Sequence, residues 1–110
     1  MSNNELERTI AKLRAEYADQ LPVTVAQMED LWRQLVSAET LVSTFADLAR
    51  MAHGIAGSGT TFGLPEASRA GRDLEEILDR LAESGRLPDP AEQDAVSALL
   101  AALRRAAVER

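Results

Sequence analysis

The feature that most constrains the fold of this chain is the spacing of its apolar residues, which recur at intervals of three and four. Side chains at that spacing lie on one face of an α-helix, whereas the faces of a β-strand alternate at every residue. The apolar stripes cover residues 6–17, 21–35, 41–62, 67–81 and 96–107. No run shows the alternation or the β-branched enrichment of a strand. The sequence therefore predicts an all-α protein.

Proline and glycine indicate where the predicted helices begin and end. Pro22 and Pro65 suit the first turn of a helix, where a backbone N–H has no partner to lose. Gly63 and Gly85 suit the position just after a helix, which often needs a left-handed backbone. Asp89 is a suitable capping residue for the last helix. These residues separate the stripes from one another.

The connections between the stripes are short, which favours antiparallel neighbours. A chain of 110 residues is long enough for one hydrophobic core and too short for two. We therefore expect a single domain over residues 1–110, an up-and-down antiparallel four-helix bundle with an additional N-terminal helix. That first helix would be shorter than the others and would dock against the bundle.

Composition and charge exclude several classes of function. The formal net charge is −6 and there is no basic stripe, so the phosphates of a nucleic acid would be repelled. The chain has no cysteine and one histidine, which excludes thiolate chemistry and most metal sites. It shows neither an apolar signal region nor an apolar run of about 20 residues. We therefore expect a cytoplasmic protein that binds no metal, nucleic acid or membrane.

The single histidine, His53, lies in the sequence MAHGIAGSGTTFG, residues 51–63. Each glycine inside a helix costs roughly 1 kcal/mol relative to alanine, so several glycines beside one histidine need a reason. His53 is about 100° round the helix from Ala52 in the third stripe, and therefore lies on the flank of that stripe. Apart from Arg50, the residues around His53 are small, namely Ala49, Gly54, Ala56, Gly57 and Thr60. The pattern predicts a low-relief patch that another protein surface can approach closely.

The alternative is that His53 is structural or incidental, and that the small residues serve close helix–helix packing. Gly59 lies in the apolar stripe itself, so packing explains it well. Gly54 and Gly57 flank the histidine face, where small residues serve access better than packing.

The run HGIAGSGTTFG resembles the signature of histidine phosphotransfer (HPt) domains. That signature is His-x-x-Lys-Gly followed by Ser or Ala, with a glycine ten residues after the histidine. The residues at matching positions are His53, Gly57, Ser58 and Gly63, followed downstream by Ala67, Ala70, Leu74 and Glu75. The resemblance covers roughly residues 35–81 and implies a phosphotransfer helix pair over about 39–84.

The resemblance implies that His53 accepts a phosphoryl group at Nε2 from a receiver-domain aspartate and passes it to another receiver. The implied partners are receiver domains of a hybrid histidine kinase or of a response regulator, which would dock on the patch of small residues around His53. Mg²⁺ would be held by the receiver, so no cofactor of the chain's own is expected. A nucleotide-binding loop of the G-x-x-x-x-G-K type is absent from the sequence. We therefore expect a monomeric phosphocarrier and not an enzyme.

One position departs from the family pattern, because Ala56 stands where the family usually has lysine. Arg50, Arg69 and Arg72 are candidates to neutralise the phosphoryl group in its place. Each of them is equally well explained as a solvated surface residue. Glu75 matches a family position whose side chain can hold the imidazole, although an exposed helical glutamate is an equally good interpretation.

Two other functions remain open on the sequence. The missing lysine supports a helical adaptor that binds a receiver domain or a partner helix without accepting phosphate. A ligand-binding bundle would need polar or metal-binding residues in the core, and the heptad positions contain almost none.

Overall fold

The structure, a computed structural model, describes residues 3–36 and 43–108. Within these ranges it consists of four α-helices and no strand: α1 (Asn3–Val36), α2 (Ser43–Ser58), α3 (Pro65–Ser84) and α4 (Pro90–Val108). The predicted all-α class is therefore confirmed. The predicted phosphotransfer helix pair corresponds to α2 and α3, and its first residues, 39–42, lie outside the described residues. None of the described helices is long and apolar enough to cross a membrane.

The helices form a bundle in which each packs against two others: α1 against α2 and α4, and α3 against α2 and α4. Successive helices are neighbours, as an up-and-down bundle requires, and the most extensive contact is between α2 and α3. The centre is filled by fully buried aliphatic side chains, among them Met28, Leu35, Leu48, Leu74 and Leu103. Full burial of each such side chain stabilises the fold by about 1.5–3 kcal/mol relative to exposure.

The ends of α3 and α4 follow the sequence signals closely. Gly85 ends α3 in the left-handed region, at φ 67°. Before α4, Asp89 Oδ1 accepts the Glu92 N–H at 2.8 Å, and Glu92 Oε1 accepts the Asp89 N–H at 2.9 Å. This reciprocal pair is a capping box, which satisfies two backbone donors at the start of the helix. Hydrogen bonds from Arg86, and then that from Asp89, lower the pKa of Glu92 to about 2.

The predicted additional N-terminal helix is wrong, because the first two apolar stripes belong to one continuous helix of 34 residues, α1, with Pro22 in its interior. A proline inside a helix removes one hydrogen bond and costs about 3 kcal/mol. Here the residues on both sides of it are fixed to the bundle: Ala18 and Leu21 before it and Val25 after it are buried. A break at Pro22 would detach one of these groups, so the helix continues through the proline.

The N-terminal part of α1 extends beyond the bundle. Residues 3–16, hereafter the N-terminal arm, are all exposed, whereas Ala18 and the residues that continue its stripe are buried. A helix of 34 residues is about 51 Å long at 1.5 Å per residue. That length agrees with the 54 Å long axis of the molecule, against 23 and 20 Å across. The arm therefore accounts for the elongated shape.

The α2–α3 connection differs in detail from the prediction, because α2 ends at Ser58 and the stripe of residues 41–62 does not stay helical to its end. Residues 59–63 form a turn, in which the Leu64 N–H donates to the Gly59 carbonyl at 2.7 Å. Gly63 has φ +84°, where a side chain would be strained. Its predicted place directly after the helix is therefore wrong, since a turn separates it from Ser58, whereas the left-handed backbone expected of this glycine is observed.

Candidate functional site

His53 lies in the interior of α2, with 74 % of its side chain exposed. The adjacent Ala52 and the nearby Ile55 are buried in the core, so the ring projects from the flank of the buried stripe. This is the position that the helical spacing predicts for it. The ring is therefore open to a reaction partner, and the helix behind it is fixed by the core.

Glu75, on α3, holds one side of the imidazole. Its Oε2 atom lies 2.6 Å from His53 Nδ1, and the carboxylate is only 25 % exposed. An ionised carboxylate can only accept a hydrogen bond, so the contact favours the ring proton at Nδ1. In the neutral ring the lone pair is then at Nε2. A lone pair on a neutral ring is what would make Nε2 a nucleophile.

Close packing of α2 on α3 brings the two side chains together, and it depends on two residues that are not among those predicted from the sequence. Gly71 is buried, and a Cβ on it would come within 3.0 Å of the Ala52 carbonyl oxygen and the Ala56 nitrogen. Ser68, also buried, donates its hydroxyl to the Ala56 carbonyl at 2.5 Å. Both residues directly follow alanines of the family pattern. That run of small residues in α3 was the available sequence signal.

The surface around His53 is formed by small residues, with one exception to the prediction. A Cβ on Gly54 or Gly57 would have nothing within 4 Å, so both face open space. Thr60 is exposed and Ala56 is half-buried. Ala49 is only 6 % exposed and belongs to the hydrophobic core. The prediction that Ala49 belongs to the docking patch is therefore wrong, because this residue faces the core and not the solvent.

The three candidate arginines differ in what they bind. Arg50 forms an ion pair with Asp47 on its own helix, and Arg69 pairs with Glu66 at 3.0 Å. Arg72 is exposed and makes no ion pair with another described residue.

The position of Arg72 along the bundle is set by the contacts of its helix. Glu75 meets His53, and Arg72 precedes Glu75 by about one turn. Because α2 and α3 are antiparallel, Arg72 lies at the level of Ala56, one turn beyond His53. Of the three candidate arginines, Arg72 alone makes no ion pair with another described residue, and its level on α3 matches that of the missing lysine.

Tyr17 of α1 anchors the turn that follows α2. Its ring stacks on Phe62 with a centroid distance of 4.9 Å, and its hydroxyl shares a hydrogen bond of 2.9 Å with Ser58 Oγ. The Ser58 hydroxyl also lies 2.6 Å from the Gly54 carbonyl. The sequence placed Tyr17 only in an apolar stripe, so this anchoring role was not predicted. It fixes the end of α2 beside the glycines that flank His53.

Other features of the surface lie apart from His53. A groove of about 530 Å³ runs between the start of α3 and the end of α4, and its lining does not include the histidine. In residues 3–36 and 43–108, no group of three or more His, Asp or Glu side chains is arranged to hold a metal ion.

Comparison with known proteins identifies one family. The family model described as the Hpt domain matches residues 12–106. A search of curated proteins and a search of solved structures each gave no significant match. The match spans α2 and α3 completely and includes most of α1 and α4.

Proposed function

Because the chain belongs to the Hpt domain family, we propose that it relays a phosphoryl group between receiver-domain aspartates and His53 in a two-component phosphorelay. The observation that supports this most directly is the contact of His53 Nδ1 with the Glu75 carboxylate, on a histidine side chain that is 74 % exposed. A positioned nucleophile of this kind is what a phosphocarrier must contribute.

The proposed transfer uses only groups that are present in the chain and in the receiver. The Nε2 lone pair attacks the phosphorus of an aspartyl phosphate, forming an N–P bond as the P–O bond to the aspartate breaks. The aspartate leaves as a carboxylate, and the Nδ1 proton stays in its contact with Glu75. That carboxylate stabilises the positive charge that develops on the ring. Passing the group to a second receiver is the same step in reverse.

The proposed docking surface consists of Gly54, Ala56, Gly57 and Thr60, which surround the ring with little relief. Phosphoryl transfer needs the two reacting atoms close and in line, so bulk beside the nucleophile would prevent it. The partners would be receiver domains of a hybrid histidine kinase or a response regulator, in the cytoplasm. All the proposed site residues come from one copy of the chain, so a monomer is sufficient for the reaction.

A second function, an adaptor that binds receivers without accepting phosphate, is favoured by one observation. Ala56 offers no cation one turn after His53, and the carboxylates of Glu75 and Glu76 lie on the facing helix. A phosphoryl group would add up to two negative charges at this place. In the proposed carrier, Arg72 would provide the compensating charge.

Phosphoryl transfer from a labelled receiver tests the proposal. Receiver domains are first phosphorylated by a small, labelled acyl phosphate in the presence of Mg²⁺. They are then mixed with the chain, and transfer of the labelled phosphoryl group is followed with time. We expect acid-labile label on the wild type and none on His53→Gln, which keeps the size and polarity of the side chain but has no nucleophilic nitrogen. A chain that binds the phosphorylated receivers and never acquires the label would be an adaptor instead.

A further inference from the structure

The N-terminal arm carries an apolar stripe that nothing in the described chain covers. Leu6, Ile10 and Leu13 are 49, 39 and 46 % exposed. Their spacing of four and three continues by four to Tyr17, where the helix reaches the bundle. Single exposed apolar residues are ordinary on a surface, but a regular stripe over three turns marks a contact face.

Part of this stripe lies outside the region that the family shares. The Hpt match begins at residue 12, so Leu6 and Ile10 precede it. The sequence suggested a short helix docked on its own bundle, which would have covered the stripe and left a monomer. The continuous helix instead leaves Leu6 and Ile10 exposed, and near the base of the arm the Arg14 side chain lies beside Gly63 of the turn that follows α2.

We propose that the N-terminal arm pairs with the arm of a second copy of the chain, in antiparallel orientation, to form a reversible dimer. This proposal goes beyond phosphotransfer and does not rest on it. With the two-fold axis between residues 11 and 12, Ile10 packs on the second copy's Leu13, and Leu6 on the second copy's Tyr17. Each of these layers occurs twice, so four layers bury the whole stripe of both arms.

The charges that flank the stripe fit this register. In an antiparallel pair, Glu7 of one arm lies beside Arg14 of the other, and the pair is repeated across the axis. Within one chain these two residues are two turns apart, and neither makes an ion pair with another described residue. Their charges are therefore available to a second copy.

The parallel alternative is excluded by the bundle itself. The stripe lies on the face of α1 whose continuation beyond Tyr17, through Leu21 and Val25, is buried against the other helices. Two arms paired in parallel through that face would bring both bundles into the same space. The antiparallel pair puts the bundles at opposite ends of the arms.

Three turns of helix form a short contact, smaller than the roughly 1,200 Å² at which stable interfaces begin. The dimer should therefore dissociate on dilution. The second copy's Leu6 reaches the level of Tyr17, whose ring already stacks on Phe62. The end of the bundle thus adds to the contact surface.

Sedimentation equilibrium over a concentration series, from low micromolar to millimolar, tests the proposal on the full chain. We expect the wild type to shift from monomer to dimer across the series. Ile10→Glu should weaken association by roughly a hundredfold or more, because it would bury a carboxylate in both central layers. The matched control is Ala15→Glu, an exposed position roughly 140° round the helix from Ile10. It adds the same charge and should associate like the wild type.

A charge exchange tests the register. Glu7→Arg and Arg14→Glu should each weaken the dimer, and the double variant should recover most of the wild-type association. The four substituted positions, Glu7, Ile10, Arg14 and Ala15, are all exposed, so circular dichroism should show the same helicity in every variant. The proposal is overturned by a wild type that stays monomeric at every concentration, or by an Ile10→Glu variant that associates normally. A double charge variant as weak as the single ones would overturn the antiparallel register.

Discussion

The Gly57→Leu variant distinguishes two effects of a glycine beside His53, namely its cost to helix stability and the access that it gives to a receiver domain. Gly57 is exposed in α2, and a Cβ added there would meet no heavy atom within 4 Å. The helix therefore has room for a larger side chain. If Gly57 is small in order to admit a receiver domain, leucine should impair phosphotransfer without disturbing the bundle.

The two effects have opposite signs, and their sizes follow from general values. Leucine is more favourable than glycine inside a helix by about 0.7 kcal/mol, and no clash opposes that gain at Gly57. A gain of that size raises the Tm of a domain of this length by roughly 3–5 °C. A displacement of about 1 Å between reacting groups slows a positioned reaction roughly 100-fold. A leucine side chain displaces the partner by more than that.

Two quantities are measured: the Tm, by circular dichroism, and the rate at which the labelled phosphoryl group is transferred from one phosphorylated receiver. Ala98→Leu is the matched control, because Ala98 is an exposed residue of α4, away from the proposed patch. It should leave both the Tm and the rate nearly unchanged. A Gly57→Leu protein that is as stable as expected and transfers at the wild-type rate would refute the argument that small residues give access to His53.

Three further changes test the charges of the chain. Ala56→Lys should shift the transfer equilibrium toward the phosphorylated carrier a few-fold, since an exposed charge pair contributes about 0.2–1 kcal/mol; the shift should shrink with added salt, and no shift at any salt concentration would indicate that Arg72 already suffices. Glu75→Ala should redistribute the proton between the ring nitrogens of His53, seen by ¹⁵N NMR, and should slow transfer; an unchanged tautomer ratio would contradict the proposed role of the carboxylate. The pKa of Glu92 is lowered from 4.5 to about 2, so its ionised form stabilises the fold above pH 4.5 and this contribution is lost as the pH falls toward 2. In Glu92→Gln, the free energy of unfolding measured with urea should therefore fall less between pH 4.5 and pH 2 than it does in the wild type. An equal fall in both proteins would contradict the lowered pKa of Glu92.

The fold was largely predictable because its signals are local. Helical periodicity, a glycine at the end of α3 and an aspartate before α4 each act within a few residues, and all three appear in the structure. Pro22 was misjudged because its cost is local but the contacts that outweigh it are not. Ala18 and Val25 are held by other helices, and their burial keeps α1 continuous.

The geometry of the candidate site was predictable for its exposed residues and not for its buried ones. The position of His53 on the flank of α2 follows from its offset from Ala52 in the apolar stripe. Ala49 was misassigned because helical spacing gives a direction and does not give the width of the core, which covers this residue. Whether a side chain on α3 reaches the ring depends on the separation of two helices, and no local pattern specifies that distance.

The separation of α2 and α3 links the reactivity of an exposed ring to a buried contact. Glu75 follows Gly71 by about one turn of α3, and a Cβ on Gly71 would come within 3.0 Å of two backbone atoms of α2. The helices would have to move apart by a few tenths of an ångström, because backbone atoms cannot turn aside as a side chain can. A helix moves largely as a unit, so the 2.6 Å contact of Glu75 with His53 would lengthen as well. The buried glycine thus sets the distance between Glu75 and the exposed ring of His53, and in the proposed carrier that distance decides which ring nitrogen keeps the proton.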